Sequence, residues 1–448
     1  MPAPRSSFPA PAPPRAARLA AAAALFASLA PMWMGSGCGG AAAEVCPVGS
    51  GEGTVVVVVT GHDTAAVTIE GVPGVLSGSA SVSASAGAHT VTAARVRAAQ
   101  AGITSQVFAP TIDHASVCVG AGETAMVNVA YALVPTSGKL WAGVGDAPDG
   151  STMLGFGPAS VATTGSASAD VAANTGGSDG FTFDRAGNLW VVGGTTDAPP
   201  LARYPAAMFA GDGDKTPDVV INSPTFGDST PGPRALAFDS AGDLWVSVGS
   251  TDEVVMFTAD QLAAGGSPAA AVERGGLTGP QGIAFDAAGN LWVAAEDDAA
   301  VVRIDRSNVG SSGTGGDLSI VATGTNDVTL RPVGLAFDAA GNLWVNYDGT
   351  IARLTPAEQT GSGSRTLSPG VQITTDVLTL PVGIAFDQDG GLWLAHATGR
   401  FARIAPAQLA ASGSMAPATV ITSPDVGYAA WFAIYPAPPG LPLFHKVP

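Results

Sequence analysis

A ten-residue segment occurs twice in this chain, and the spacing of its copies constrains the fold more than any other feature. The segment AFDAAGNLWV occupies residues 284–293 and again residues 336–345. Its Leu-Trp pair recurs more widely, at intervals of 47 to 55 residues, with tryptophans at Trp141, Trp190, Trp245, Trp292, Trp344 and Trp393. Regular self-similarity in this range predicts repeated supersecondary units, as in a propeller or a solenoid, rather than unrelated domains.

Each repeat begins with a strand of the type GIAFD, turns tightly into LWV, and then carries a variable loop and further apolar strands. Ile283 and Phe285 alternate with small residues, which predicts one buried face. Asp286 is placed to cap the turn, and Trp292 is predicted to pack between adjacent units, where burial stabilises by about 2–3 kcal/mol. We interpret the equivalent aspartates as turn caps rather than ligands: Asp184, Asp239, Asp338 and Asp387.

The number of units follows from the two ends of the repeat region. The Leu-Trp strand occurs six times, whereas the GIAFD-type strand occurs five times, at Phe183, Phe238, Phe285, Phe337 and Phe386. The strand around Trp141 lacks its partner, and WFAIYP at residues 431–436 supplies one, because Phe432 and Ile434 reproduce the apolar-Ala-apolar spacing. We therefore predict an all-β chain with a six-bladed β-propeller over residues 136–443, closed by its C-terminal strand so that no edge is exposed.

Segments between the repeats follow a pattern of their own. Residues 258–266, 355–363 and 406–413 have Pro or Thr near the start and Gly near the end, which predicts a one-turn helix on the outer side of each blade. Short β-branched pieces follow, at residues 219–221 and 419–422, and predict outer strands.

The sequence PQGIAFDAAGNLWVAAEDDAAVVRID at residues 280–305 resembles NHL-type repeats. It is also similar to the wider group of gluconolactonase-like and streptogramin-lyase-like propellers, and the resemblance extends over residues 137–443. It implies a six-bladed propeller whose ligands meet the mouth of the central channel. It leaves function open, because such propellers include both binding modules and enzymes.

The N-terminal residues 1–37 have the features of an export signal. Three arginines precede a sixteen-residue apolar run at residues 19–34, which is shorter than the ~20 residues of a membrane span. The small residues before Cys38 resemble the lipobox of bacterial lipoproteins. That resemblance implies lipidation of Cys38 and a location at the cell envelope, on the outer membrane or the cell surface. The alternative is ordinary cleavage and release.

Between the signal and the propeller, residues 38–52 are predicted to form a tether and residues 53–135 a small β-sandwich, because β-branched strands alternate with Gly-rich turns. The sandwich resembles PEGA and related Ig-like modules. Cys46 and Cys118 remain as one candidate disulfide, with two free thiols as the alternative. The three histidines of this region are interpreted as solvated loop residues: His62, His89 and His114. Residues 444–448 form a short tail.

The loops before the inner strand and after LWV supply the candidate ligand-binding residues of the mouth. They are Arg234, Gln281, Glu296, Arg331, Tyr347 and His396. Variation at these positions against a constant frame is typical of a binding face and also of unconstrained loops.

The resemblance also allows two kinds of enzyme site to be considered. A gluconolactonase-like metal cage needs a Glu before an inner strand, but those positions hold Asp179, Arg234, Gln281, Val333 and Val382. A streptogramin-lyase-like site needs a His–carboxylate pair, for which His396 and Glu296 are weak candidates. We favour the interpretation of His396 as an exposed loop residue.

Residues 211–218, GDGDKTPD, place Asp212, Asp214 and Asp218 in some likeness to a calcium loop. The sixth and twelfth positions counted from Asp212 hold Pro217 and Ser223 instead of the Gly and Glu of an EF-hand. An acidic surface loop is therefore favoured, calcium is the alternative, and no other cofactor is predicted.

The formal net charge of −17 excludes nucleic acid as an expected partner, because an acidic surface repels phosphates. We predict a non-enzymatic binding or scaffolding protein at the cell envelope, held to the membrane by an N-terminal lipid. Its ligand would be a protein, a glycan or a small molecule. The alternative is a propeller enzyme, either a lyase or a lactonase, with its active site at the channel mouth.

Overall fold

The computed structural model describes Cys46 and residues 49–99, 104–145, 147–150, 152–177, 179–193, 199–227, 232–324, 327–347, 349–375 and 381–438. The predicted signal segment, Cys38 and the tail at residues 444–448 lie outside these ranges. Within them, no helix has the length and apolar character needed to cross a membrane.

Two sheets form a β-sandwich, as the β-branched runs favour. One sheet has the order β4-β1-β9-β7-β6 and the other β3-β2-β5-β8. The strands are β1 (Glu52–Thr60), β2 (Ala66–Ile69), β3 (Leu76–Ser77), β4 (Ala80–Ser85), β5 (Gly87–Ala94), β6 (Val96–Ala99), β7 (Ser105–Ile112), β8 (Ser116–Val119) and β9 (Thr124–Leu133). Alternate residues of β1 and β9 face inward and build one apolar core.

The disulfide and the histidines of the sandwich test predictions made from the sequence. A disulfide joins Cys46 to Cys118 on β8, with the Cα atoms 5.6 Å apart. His89 is 5% exposed, and its ring nitrogens lie 2.7 Å from the carbonyl oxygens of Glu70 and Ser85. The interpretation of His89 as a solvated loop residue is therefore wrong, because its strand position turns the ring inward. His114 is exposed, as expected.

The remaining strands form the propeller. In chain order they are β10 (Lys139–Gly145), β11 (Met153–Phe156), β12 (Gly165–Ser166), β13 (Val171–Asn174), β14 (Gly180–Phe183), β15 (Leu189–Val192), β16 (Leu201–Tyr204), β17 (Gly213–Asp214), β18 (Val219–Ile221), β19 (Pro233–Phe238), β20 (Leu244–Val248), β21 (Glu253–Phe257), β22 (Val272–Gly275), β23 (Pro280–Phe285), β24 (Leu291–Ala295), β25 (Ala300–Ile304), β26 (Gly313–Thr314), β27 (Leu318–Ala322), β28 (Pro332–Phe337), β29 (Leu343–Tyr347), β30 (Thr350–Leu354), β31 (Gly363–Leu367), β32 (Val371–Thr374), β33 (Pro381–Phe386), β34 (Leu392–His396), β35 (Arg400–Ile404), β36 (Gly413–Ser414), β37 (Thr419–Thr422) and β38 (Tyr428–Tyr435).

Six antiparallel sheets make the blades, which we number in chain order. From inner to outer strand they are β38-β10-β11-β13 for blade 1, β14-β15-β16-β18 for blade 2, β19-β20-β21-β22 for blade 3, β23-β24-β25-β27 for blade 4, β28-β29-β30-β32 for blade 5 and β33-β34-β35-β37 for blade 6. The prediction of an all-β propeller is confirmed.

The C-terminal strand closes the ring. β38 pairs with β10 so that Trp141 lies opposite Ala433, just as Trp292 lies opposite Ala284 in blade 4. Phe432 and Ile434 therefore take the places that Ile283 and Phe285 take in blade 4. The closure predicted from WFAIYP is confirmed, and its register is now fixed.

The segments between the third and fourth strands of the blades form short helices and an additional set of strand pairs. The helices are α1 (Ala259–Ala264) and α2 (Arg306–Val309). There are also 3-10 turns at Ala206–Ala210, Pro224–Phe226 and Gln408–Ala410. At residues 355–363 the predicted helix is instead a hydrogen-bonded turn followed by β31. After these turns the chain pairs in parallel with the outer strand of the preceding blade: β17 with β13, β26 with β22, β31 with β27, β36 with β32 and β12 with β37. Neighbouring blades are thus fastened at their outer edges, which the sequence did not predict.

The repeated aspartate caps the turn of each inner hairpin. In blade 4, Asp286 Oδ1 accepts the backbone N–H groups of Ala288 and Asn290, each at 2.9 Å. Asp286 Oδ2 accepts the Asn290 amide at 2.7 Å and the Trp292 indole N–H at 3.0 Å. Trp292 is fully buried and packs edge-on against Phe337 of blade 5, with ring centroids 6.3 Å apart. One carboxylate therefore joins the turn to the tryptophan that binds the next blade.

Replacing Asp286 with Ala should lower the free energy of unfolding by about 2–3 kcal/mol, because it leaves a buried indole N–H and two turn amides without their acceptor. Asp286→Asn keeps one side-chain acceptor and should lose less. Urea denaturation measures both values. The control is Asp260→Ala on the exposed face of α1, which should change stability by less than about 0.5 kcal/mol. Equal stabilities for Asp286→Ala and Asp260→Ala would contradict this role.

The disulfide closes a long loop, since Cys46 and Cys118 are 72 residues apart. The double variant Cys46→Ser/Cys118→Ser should destabilise the sandwich by about 4 kcal/mol through the larger entropy of the unfolded chain. Thermal unfolding of the wild type with and without reductant provides the matched measurement. An unfolding transition that neither reduction nor the double variant changes would refute the estimate.

Candidate ligand-binding mouth of the propeller

The inner strands of the six blades all begin at the same end of the central channel, which we call the mouth. In blades 3 to 6 each inner strand starts with a proline and then has a register irregularity: Pro233, Pro280, Pro332 and Pro381. A β-bulge re-aims the neighbouring side chains. The bulges of blades 3 and 4 include Arg234 and Gln281, which the sequence predicts as ligand-binding residues.

A chain of polar side chains crosses the mouth from blade 3 to blade 5. The Arg234 guanidinium donates to Gln281 Oε1 at 3.0 Å, and the Gln281 amide donates to Glu296 Oε2 at 2.6 Å. Glu296 Oε1 lies 3.6 Å from the Arg331 guanidinium, which also pairs with Asp297. The structure therefore brings four of the six predicted mouth residues into one network.

Asp179 extends this network into blade 2. Neighbouring protein atoms shield its carboxyl from water and raise its pKa, while the positive charge of Arg234 opposes that shift. Asp179 still exposes more than a third of its surface, so the desolvation is partial.

Just inside the mouth, one large side chain faces a ring of small ones. On each inner strand, the residue at this level lies two positions before the one that pairs with the blade tryptophan. These residues are Gly180, Ala235, Gly282, Gly334, Gly383 and, in blade 1, Trp431. The inner strands approach closely at this level, since a Cβ atom added to Gly282 would lie 2.7 Å from the Val333 carbonyl oxygen. Trp431 packs against the apolar clusters of blades 1 and 2 and also of blades 3 and 4, so its ring extends across the channel.

Below Trp431 the channel is a small apolar cavity of about 130 Å³. Each blade contributes a large apolar residue to its wall: Phe181, Leu236, Ile283, Leu335, Ile384 and Phe432. Five blades contribute a second one: Phe238, Phe285, Phe337, Phe386 and Ile434. Pro438 lines the cavity at the far end, after β38. The polar network of the mouth consequently lies above an apolar plug.

Two predicted mouth residues are buried instead of lining the surface. Tyr347, at the end of β29, is 1% exposed and packs in the core between blades 4 and 5. Its hydroxyl has no hydrogen-bond partner in the described part of the chain, and burial raises its pKa. The structure therefore corrects its assignment to the mouth surface.

His396 is the last residue of β34 and is 5% exposed. Its Nδ1 lies 2.8 Å from the Thr398 hydroxyl and accepts the Thr398 backbone N–H at 3.1 Å. The interpretation of His396 as an exposed loop residue is therefore wrong, because pairing with Pro381 encloses it in the sheet. Burial, and then the nearby positive Arg400, lower its pKa and favour the neutral ring.

The three aspartates of the acidic loop are engaged in structure. Asp212 accepts the Ala172 backbone N–H at 2.9 Å, and Asp214 accepts the Asn174 amide at 3.0 Å. Both bonds fasten β17 to β13. Asp218 receives two hydrogen bonds from Arg203 on β16. In the described residues, no group of three or more His, Cys, Asp or Glu side chains is arranged to hold a metal.

Trp431 is the mouth residue that the sequence analysis did not assign. Its signal was present, since aligning WFAIYP with GIAFD puts tryptophan where the repeat has glycine. The sequence analysis used Phe432 and Ile434 to predict ring closure and assigned no role to the residue before them.

No protein-family model matches this chain, and no curated protein sequence matches it. Among solved structures, a streptogramin B lyase is 17% identical with a TM-score of 0.36, covering 52% of this chain and 66% of that one. The virginiamycin B lyase of Staphylococcus aureus is 15% identical with a TM-score of 0.35, covering 52% and 69%. A chain of the nidogen/laminin complex is 14% identical with a TM-score of 0.41, covering 66% and 96%. At these identities the likeness concerns the fold alone.

The lowered pKa of His396 gives a pH-dependent stability. The unfolded chain takes up this proton near the ordinary pKa of 6.5, whereas the folded protein resists it. Stability should therefore decrease as the pH falls below about 6.5 and level off below the folded-state pKa. Replacing His396 with Gln should flatten that part of the profile, as measured by denaturation between pH 5 and 8. Identical profiles for the variant and the wild type would contradict this assignment.

Proposed function

We propose that this protein is an exported, lipid-anchored binding module of the cell envelope that recognises a glycan at the propeller mouth without catalysing a reaction. The observation that carries the proposal is the polar network from Arg234 to Arg331, held above a closed channel. A row of preorganised donors and acceptors suits a ligand that rests on the mouth.

The chemistry of the rim favours a ligand with many hydroxyl groups. The Arg331 and Asp297 side chains expose 48% and 57% of their surface, so each retains capacity for further hydrogen bonds. Tyr428, at the mouth end of β38, is 46% exposed and offers an aromatic face. Alternating hydroxyls and apolar ring faces, as in a glycan, complement such a surface.

The placement of the sandwich is consistent with a ligand face directed outward. Val107 and Ala109 of β7 pack with Tyr435 in one apolar cluster, and Arg97 donates to the Ala437 carbonyl at 3.3 Å. These contacts lie at the end of the channel opposite the mouth, where the capped turns are. The mouth therefore faces away from the sandwich, which follows Cys38 in the chain.

The two side chains considered for catalysis, Glu296 and His396, already have polar partners within the protein. The Glu296 carboxylate is shared between Gln281 and Arg331, and the His396 Nδ1 faces Thr398. A general base must reach the proton of its substrate, but His396 is buried in the sheet. A mouth of mixed Arg, Gln and aromatic residues is typical of a binder.

Binding of the purified protein to an array of bacterial and host glycans tests the proposal. Gln281→Ala and Arg331→Ala should each weaken the affinity for the best glycan by about tenfold, since each removes a hydrogen bond within a charged network. Lys215→Ala, in the outer segment between β16 and β18 of blade 2, is the control and should leave affinity unchanged. An array without binding, or affinities that both mouth variants retain, would refute the proposal.

A further inference from the structure

Four blades carry an arginine directly opposite the tryptophan that recurs in each repeat. The pairs are Trp190 with Arg203, Trp292 with Arg303, Trp344 with Arg353 and Trp393 with Arg403. In blades 2, 4 and 5 the guanidinium lies over the indole ring, 5.7 to 5.8 Å from its centroid. These positions are equivalent by strand register, so their surroundings can be compared directly.

In three of the four blades the guanidinium binds a carboxylate. Asp218 receives two parallel bonds from Arg203, at 2.9 and 2.8 Å. Asp305 lies 2.6 Å from Arg303 Nε. In blade 6, Asp387 lies 2.5 Å from Arg403 Nε. A paired carboxylate is therefore the usual occupant of this position.

Blade 5 lacks the aspartate that serves blade 2. Arg203 pairs in register with Val219, directly after Asp218, and Arg353 pairs with Val371, directly after Gly370. Glycine thus stands at the position of the blade 2 carboxylate.

In blade 6 the aspartate that caps the inner turn also binds the arginine, and blade 5 lacks this contact as well. Asp387 can reach Arg403 because Gly391 stands where blades 2, 4 and 5 have asparagine. In blade 5, Asn342 is present, and the corresponding Asp338 oxygen accepts from Asn342 and Trp344, at 2.8 and 2.9 Å.

Arg353 is consequently left without a carboxylate. In the described part of the chain no acidic side chain forms an ion pair with it, and its buried Nε has no hydrogen-bond partner. A buried guanidinium donor without an acceptor is costly, so an acceptor bound beside Arg353 would stabilise the protein.

A cavity of about 480 Å³ lies beside this guanidinium, between blades 5 and 6 on the face opposite the mouth. Its apolar wall includes Trp344, Phe386, Pro406 and Leu409. Three aspartates also line it. Asp338 is engaged in its turn, Asp387 is neutralised by Arg403, and Asp389 is 60% exposed and lies 3.9 Å from the same arginine.

We propose that this cavity is a second ligand site, which binds a small molecule through a carboxylate on Arg353 and an apolar body against Trp344 and Phe386. The ligand carboxylate supplies Arg353 with the anionic partner that aspartates supply to the equivalent arginines of blades 2, 4 and 6. A planar guanidinium binds a carboxylate through two parallel hydrogen bonds, so the site discriminates an acid from its neutral amide.

Saturation-transfer NMR and calorimetry with 3-phenylpropanoate and 3-phenylpropanamide test this site on the purified protein. The acid should bind about tenfold more tightly than the amide, and Arg353→Gln should abolish the difference. Arg353→Lys, which keeps the charge without the planar fork, should retain part of it. The matched control is Arg203→Gln in blade 2, which should leave binding of the acid unchanged.

Thermal unfolding distinguishes a ligand-binding role of Arg353 from a purely structural role. Arg203→Gln leaves Asp218 without its partner and should lower the melting temperature, whereas Arg353→Gln removes an unpaired group and should leave it unchanged or raise it. Equal binding of acid and amide, or binding of the acid that survives Arg353→Gln, would overturn the proposal. Because the mouth lies on the other face, neither result depends on glycan recognition.

Discussion

The pairing of β38 with β10 is the constraint on which the rest of the structure depends. Without it, β10 would present an unpaired inner edge, and β38 would have no partner strand. The pairing joins the two ends of a chain segment of nearly three hundred residues, from Lys139 to Tyr435. It also delivers Trp431 into the channel, so ring closure and the plug below the mouth come from the same strand.

The repeated hairpin explains why identical residues recur along the chain. One aspartate satisfies the turn and the indole N–H, and the tryptophan then packs on the phenylalanine of the following blade. This arrangement recurs in five hairpins of a ring of six blades that must close, so each copy has little freedom to vary. Both proposed sites lie where a copy departs from it. At the mouth, Trp431 replaces a glycine. On the opposite face, Gly370 stands where blade 2 has a carboxylate.

Much of the fold could be predicted from the sequence because its signals are local. The Leu-Trp spacing gave the number of blades, and the position of Asp286 before its glycine turn indicated a cap. The outer strand pairs could not be predicted, since β17 joins β13 through bonds between residues 40 apart that have no pattern in common. The three aspartates of that loop therefore resembled a cation site, although two of them fasten strands.

The candidate site was predicted only in part, for a physical reason. The loop positions of Arg234, Gln281, Glu296 and Arg331 could be located from the repeat, and the structure joins their side chains. Burial of His396 and Tyr347 depends on how the next strand covers the end of each LWV strand, which residue type alone does not reveal. That Arg353 lacks the aspartate of its counterpart in blade 2 follows from the strand register, which the sequence alone does not give.

Hydrogen exchange of the backbone amides in β38, compared with those of β24, tests the central claim most directly. If β38 closes the ring, its amides should exchange only when the propeller unfolds, with the same protection as the amides of β24 in blade 4. Exchange of β38 through local opening, while β24 remains protected, would show that the C-terminal strand frays from the fold. The account of a closed ring with a plugged channel would then be wrong.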